Sequence, residues 1–136
     1  MQHCRQRSFS RNVRNELKKS RKVNFYDNGI RNALIANFSP PQTRVDTGAL
    51  WENFLVSERI KLLCNNQIQA CQFFWRTRQR QKIDYIEESD GIISAFEFKW
   101  NPGKKTRFPK TFLKAYPNAV TTTITPENYR DFLMLT

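Results

Sequence analysis

Ile83-Asp84-Tyr85-Ile86-Glu87-Glu88-Ser89-Asp90-Gly91-Ile92-Ile93-Ser94-Ala95-Phe96-Glu97-Phe98-Lys99-Trp100 is the stretch that decides how the chain folds. It reads as two strands rich in β-branched and aromatic residues, joined by Asp90-Gly91, a strong signal for a two-residue type I′ turn. That turn fixes the register. With Asp90 and Gly91 as the loop, Ser89 faces Ile92, and counting back puts Asp84 opposite Glu97 with Lys99 on the same face. The other face carries Ile83, Tyr85, Phe96, Phe98 and Trp100, a core-facing set.

Two carboxylates opposed across a ladder lie roughly 4.5–5.5 Å apart at Cβ, where like charges repel. Three arrangements relieve the repulsion: a divalent cation between them, a proton on one, or partial neutralisation by Lys99. An exposed mixed-charge face with no chemistry is the plain alternative.

The chain has 136 residues, 39% of them hydrophobic and 13% aromatic with 11 Phe, enough for one domain with a core. No apolar run is long enough to span a membrane and the basic N-terminus has no apolar signal segment, so a cytoplasmic protein with no membrane partner is expected. Cys4, Cys64 and Cys71 form no CxxC pair and His3 is the one histidine, which argues against a disulfide framework, a zinc site and histidine catalysis. Acid–base chemistry then falls to Asp, Glu, Lys or Tyr.

The net charge of +11 is uneven. Residues 1–22 hold eight Lys/Arg against Glu16 alone, which sets them apart as a basic arm or linker ahead of a single domain over 23–136. The arm suits a polyanion such as DNA, or is simply a solvated tail. Its Phe9, Val13 and Leu17 make a thin helical stripe that is expected to dock, on this domain or on a neighbouring module.

Lys22 to Tyr26 reads as a strand and Ile30 to Phe38 as a short helix. The main helix starts near Asp46-Thr47 and runs to about Leu63, with Leu50, Trp51, Phe54, Leu55, Leu62 and Leu63 as its apolar band. Glu52 leaves it beside Ala49, Val56 and Arg59, while Glu58 points elsewhere as a surface charge. Gln72 to Thr77 reads as a strand. Arg76, Arg78, Arg80 and Lys82 then alternate at period two and, if extended, project from the carboxylate face toward a phosphate backbone. Lys104 and Lys105 add a basic loop. A helix over 108–115, a strand over 120–125 and a last helix over 127–133 complete the chain.

An α/β protein follows, ordered helix, three strands, helix, strand, with acids at Glu52 and Asp84 and then Glu97-Phe98-Lys99. This resembles the PD-(D/E)XK nuclease superfamily, whose restriction-endonuclease-like αβββαβ core is a central mixed sheet flanked by helices. More narrowly, Phe25–Arg31, Gly48–Phe54, Phe74-Trp75-Arg76, Ile83–Ile86 and Phe96–Trp100 resemble the C-terminal domain of unknown function of bacterial and archaeal ATP-binding proteins, where an AAA-type ATPase module and a winged helix come first. The resemblance implies Mg²⁺ or Mn²⁺ held by Asp84, Glu97 and Glu52, Lys99 as the catalytic amine, and cleavage or binding of DNA. Its alternative is an inactive nuclease-fold module that regulates such an ATPase. The neighbour expected for the Phe9, Val13, Leu17 stripe is then that ATPase or winged-helix module. No GxxxxGK[ST] loop is present, so no ATP site is expected in this chain, which then reads as a fragment or a truncated relative. Lys82 stands where that family's pattern has an acid.

Overall fold

The structure, a computed structural model, describes residues 3–9, 21–25, 47–103 and 106–134. It is a mixed α/β fold. The elements are β1 (His3–Ser8), β2 (Arg21–Phe25), α1 (Thr47–Asn65), β3 (Cys71–Arg76), β4 (Lys82–Ser89), β5 (Ile92–Phe98), α2 (Lys110–Ala115), β6 (Val120–Ile124) and α3 (Tyr129–Phe132). The strands form one sheet in the order β2-β1-β3-β4-β5-β6. β3, β4 and β5 run antiparallel in a meander, and β6 returns parallel to β5 after the α2 crossover. The expected order from the main helix onward is therefore present, with helices flanking β3 to β6.

Residues 3–8 depart from expectation. They read as helical or unstructured from sequence, but β1 lies parallel to β3 and antiparallel to β2. Phe9, directly after β1, is 1% exposed and packs its ring against Phe73 at 5.2 Å and Tyr116 at 4.9 Å. It is thus part of this domain's own core and is not presented to a neighbouring module. Val13, Leu17 and the helix expected over Ile30 to Phe38 lie outside the described residues, as do Lys104 and Lys105.

Both faces of the sheet are apolar, not one. On the first, Trp51, Leu55, Val56 and Ile60 of α1 pack with Tyr85, Phe98, Ile124 and Phe132. On the second, Phe9, Trp75, Ile83, Ile86 and Ala95 pack with Phe112 and Tyr116 of α2 and its C-cap. Ile83 was expected beside Tyr85 and Phe98, and it is on the opposite side. The cause is a bulge: Phe73 pairs with Ile86 but Trp75 pairs with Ile83, so Asp84 and Tyr85 together oppose Phe74 alone. The extra residue shifts the alternation by one, and Ile83 and Ile86 end on the same face.

Two more expectations fail. Trp100 was placed in the core and is 43% exposed. The Arg76, Arg78, Arg80, Lys82 stripe does not exist, because the stretch is a tight turn: Thr77 N donates to Gln81 O at 3.0 Å and Arg80 N to Thr77 O at 3.1 Å. Arg80 has a left-handed φ of 64° there. Arg76 lies over the Phe74 ring at 5.3 Å, and Arg78 and Arg80 are exposed in the turn.

Candidate functional site

The site begins with the turn. Asp90 and Gly91 have φ of 53° and 76°, both positive as a type I′ turn requires. The ladder then runs as expected from Ser89–Ile92 through Glu88–Ile93, Glu87–Ser94 and Ile86–Ala95 to Tyr85–Phe96. At Asp84 the backbone pairing stops, where the bulge falls. The Asp84 side chain takes over: its Oδ2 accepts a hydrogen bond from Phe98 N at 3.1 Å.

Asp84 and Glu97 are 7% and 5% exposed, and they meet. Glu97 is held well above the usual carboxyl range, to about 8, first by burial, then by the Asp84 charge and by a hydrogen bond between the two side chains. Lys99 and Lys82 oppose that shift. Glu97 Oε1 is buried and has no hydrogen-bond partner among the described residues. Glu97 is thus the carboxyl whose protonated form is favoured at neutral pH.

A cavity of about 460 Å³ opens beside the pair. Gly48, Ala49 and Glu52 of α1 line one side; Lys82 and Asp84 of β4, with Phe98, Lys99, Trp100 and Asn101, line the rest. The small side chains of the first helical turn leave this space open, and a Cβ at Gly48 would meet nothing within 4 Å. The end of β5 is fixed by Lys99 N donating to Ile124 O at 2.8 Å, so Lys99 leaves a pinned backbone. Of the expected site residues, Glu52, Asp84, Lys82 and Lys99 share the cavity wall. Glu97 is set back from it, in contact with Asp84. Among the described residues no group of three or more His, Cys, Asp or Glu is placed to hold a metal ion.

A second polar cluster escaped the sequence reading. Arg59 forks onto Glu87, with Nε to Oε1 at 3.0 Å and Nη2 to Oε2 at 2.9 Å, and Tyr85 donates its hydroxyl to Glu87 Oε1 at 2.7 Å. Arg59 Nη1 also donates to Phe132 O at 2.7 Å, and its guanidinium lies 5.1 Å from the Phe132 ring centre. The hydrogen bonds to Glu87 raise the Arg59 pKa above its ordinary value, against the opposing effect of burial. So Arg59, expected as a helical neighbour of Glu52, serves α3 instead. The available signal was Tyr85 and Glu87 two apart on one strand face.

A family model described as a domain of unknown function, DUF4143, matches residues 47–132. No curated protein and no solved structure matches the chain.

Proposed function

The chain belongs to the DUF4143 family, and for it we propose a divalent-metal-dependent phosphodiesterase site acting on DNA, built on a restriction-endonuclease-like frame. The observation that carries this reading is the pair of buried carboxyls, Asp84 at the wall of an open cavity beside Lys99 and Glu97 in contact behind it. Burying two acids in contact is costly and serves no packing purpose. A divalent cation is the partner that would let both ionise. The element order α1-β3-β4-β5-α2-β6 and the spacing of Glu97 and Lys99 support the same reading.

The residues fit Mg²⁺ or Mn²⁺. Carboxylate oxygens are hard ligands, Glu97 Oε1 is buried with no hydrogen-bond partner among the described residues, and Mg²⁺ commonly takes only one or two carboxylates and keeps its waters. Asp84 and Glu97 would hold the ion, with Glu52 supporting its water shell. When bound, such an ion supplies an acidified water and offsets charge building on the phosphoryl group. Lys99 positions that water or neutralises the phosphoryl oxygens from its pinned backbone. Lys82 brings a phosphate toward the cavity but also weakens cation binding. That electrostatic cost is roughly 1–4 kcal/mol at 4 Å, before salt screening. Phe98 and Trp100 are the aromatic residues of the cavity wall.

A second reading keeps the fold and drops the chemistry: an interaction module for an AAA-type ATPase. The proton held by Glu97 and the lack of a three-acid group among the described residues favour it. Nicking of supercoiled plasmid with Mn²⁺ decides between them. Metal-dependent nicking by the wild-type chain is expected, to be lost in Asp84→Asn, Glu97→Gln and Lys99→Ala. Cleavage that survives Asp84→Asn and Glu97→Gln would mark a contaminant and overturn the catalytic reading, and an absence of Mn²⁺ binding by calorimetry would decide for the module.

A further inference from the structure

The cavity beside Asp84 has an aromatic rim that its carboxyls leave unused. Trp100 follows Lys99 directly, lines the cavity and is 43% exposed. Trp51 meets it edge-on, with ring centres 5.4 Å apart and planes at 68°. Trp51 in turn packs on Phe54 at 6.0 Å and Tyr129 at 5.4 Å, so an aromatic cluster stands behind Trp100. The other two tryptophans, Trp51 and Trp75, are 8% and 0% exposed. A half-exposed indole at the wall of a cavity that also carries lysines gives a flat ligand an apolar surface beside positive charge.

We propose that Trp100 stacks on an unpaired nucleobase, which makes a single DNA strand, not base-paired duplex, the substrate of this cavity. The inference rests on the phosphodiester reading of the site and names its substrate class. Three features combine. Lys82 and Lys99 offer cations to a backbone phosphate on the same wall where Trp100 offers a ring face. The cavity, about 460 Å³, is of a size that takes a small organic group such as a nucleotide. A paired base has both faces covered by its neighbours in the stack, so a duplex would have to be unstacked to reach Trp100, whereas a single strand presents its bases freely. Sequence preference is not expected, since every base has such a face.

The test is a fluorescence titration of the full chain in EDTA, where no cleavage occurs, with an oligodeoxythymidylate and with a blunt hairpin duplex of equal length. Trp100 is the exposed indole of the three, so its quenching reports contact at the rim. Wild type should be quenched by the single strand and bind it more tightly than the duplex. Trp100→Ala should lose most of the quench and bind the strand about tenfold more weakly. Trp100→Phe should restore affinity, whereas Trp100→Leu, equally apolar but without an aromatic face, should not; circular dichroism confirms that each variant is folded. Equal affinity for strand and duplex, no quench by either, or Trp100→Leu binding as well as Trp100→Phe would each overturn the proposal. Because cleavage is not read, a failed plasmid-nicking assay leaves this result standing, and a failed titration leaves the metal site to its own assay.

Discussion

At Glu97 burial first, and then the charge of Asp84 against it, favour the protonated carboxyl. Its folded pKa of about 8 lies above the ordinary 4.5, so between those values the folded chain binds more protons than the unfolded one. Stability should therefore be fullest below the lower value and fall as pH rises through about 8. Urea midpoints in EDTA across that window should show the decline, and Glu97→Gln should flatten it. A wild-type midpoint independent of pH would contradict the buried pair. Asp84 has a further duty, since its carboxylate accepts the Phe98 amide. Truncation to alanine strands that buried donor, at a cost of about 1–3 kcal/mol, whereas asparagine keeps an acceptor there. That is why Asp84→Asn is the cleaner probe of chemistry. Both acids were legible from the turn alone, because a two-residue loop leaves one register. The contact of Asp84 with the Phe98 amide was not legible, since it depends on a bulge that alternation cannot reveal.

Among the elements, α3 is the shortest, at 4 residues, and too short to be stable by itself. It is held by Phe132, whose ring meets Tyr85, Phe96 and Phe98 and whose carbonyl accepts Arg59. Arg59→Ala removes that anchor and leaves Glu87 buried with only Tyr85 as partner. A loss of about 2–3 kcal/mol is expected, less than for a fully buried pair because the two side chains are 17% and 9% exposed. Thermal melting of Arg59→Ala, Glu87→Gln and the double variant checks it, and the double loss should be smaller than the two singles combined. Most elements were visible from hydrophobic spacing, α1 and the β4–β5 hairpin above all. The basic stripe was misread because period-two spacing of arginines looks the same in a strand and in a turn. Only the Thr77–Gln81 closure, a backbone hydrogen bond, tells them apart. Asn53 and Ser57, buried on α1, likewise gave no sequence sign of burial.

For the molecule as a whole, the basic N-terminal residues are structural as well as charged. β1 pairs with β2 and β3, and Phe9 fills the second core. Removing residues 1–9 should thus lower the melting temperature in addition to weakening DNA binding, and Phe9→Ala alone should cost about 3–5 kcal/mol. A chain lacking those residues that melts like wild type would contradict the sheet order. The net charge of +11 predicts DNA affinity that falls with added salt, linearly on a double-logarithmic plot. The sequence showed the charge but could not show that its densest stretch contributes a strand, because an arginine-rich segment with few apolar residues carries little strand signal.

The pairing of β1 with β3 also sets an order in time. Arg7 lies beside Phe73, 66 residues later, with α1 between them. During synthesis the first two strands leave the ribosome well before β3 exists, and a two-stranded ribbon by itself is marginal in water. The meander of β3, β4 and β5 closes over short turns and can form at once, whereas β1 can pair with β3 only after β3 has been made. Until then the newborn chain carries an exposed basic ribbon and an uncovered Phe9, and whatever binds either of them first competes with its own folding.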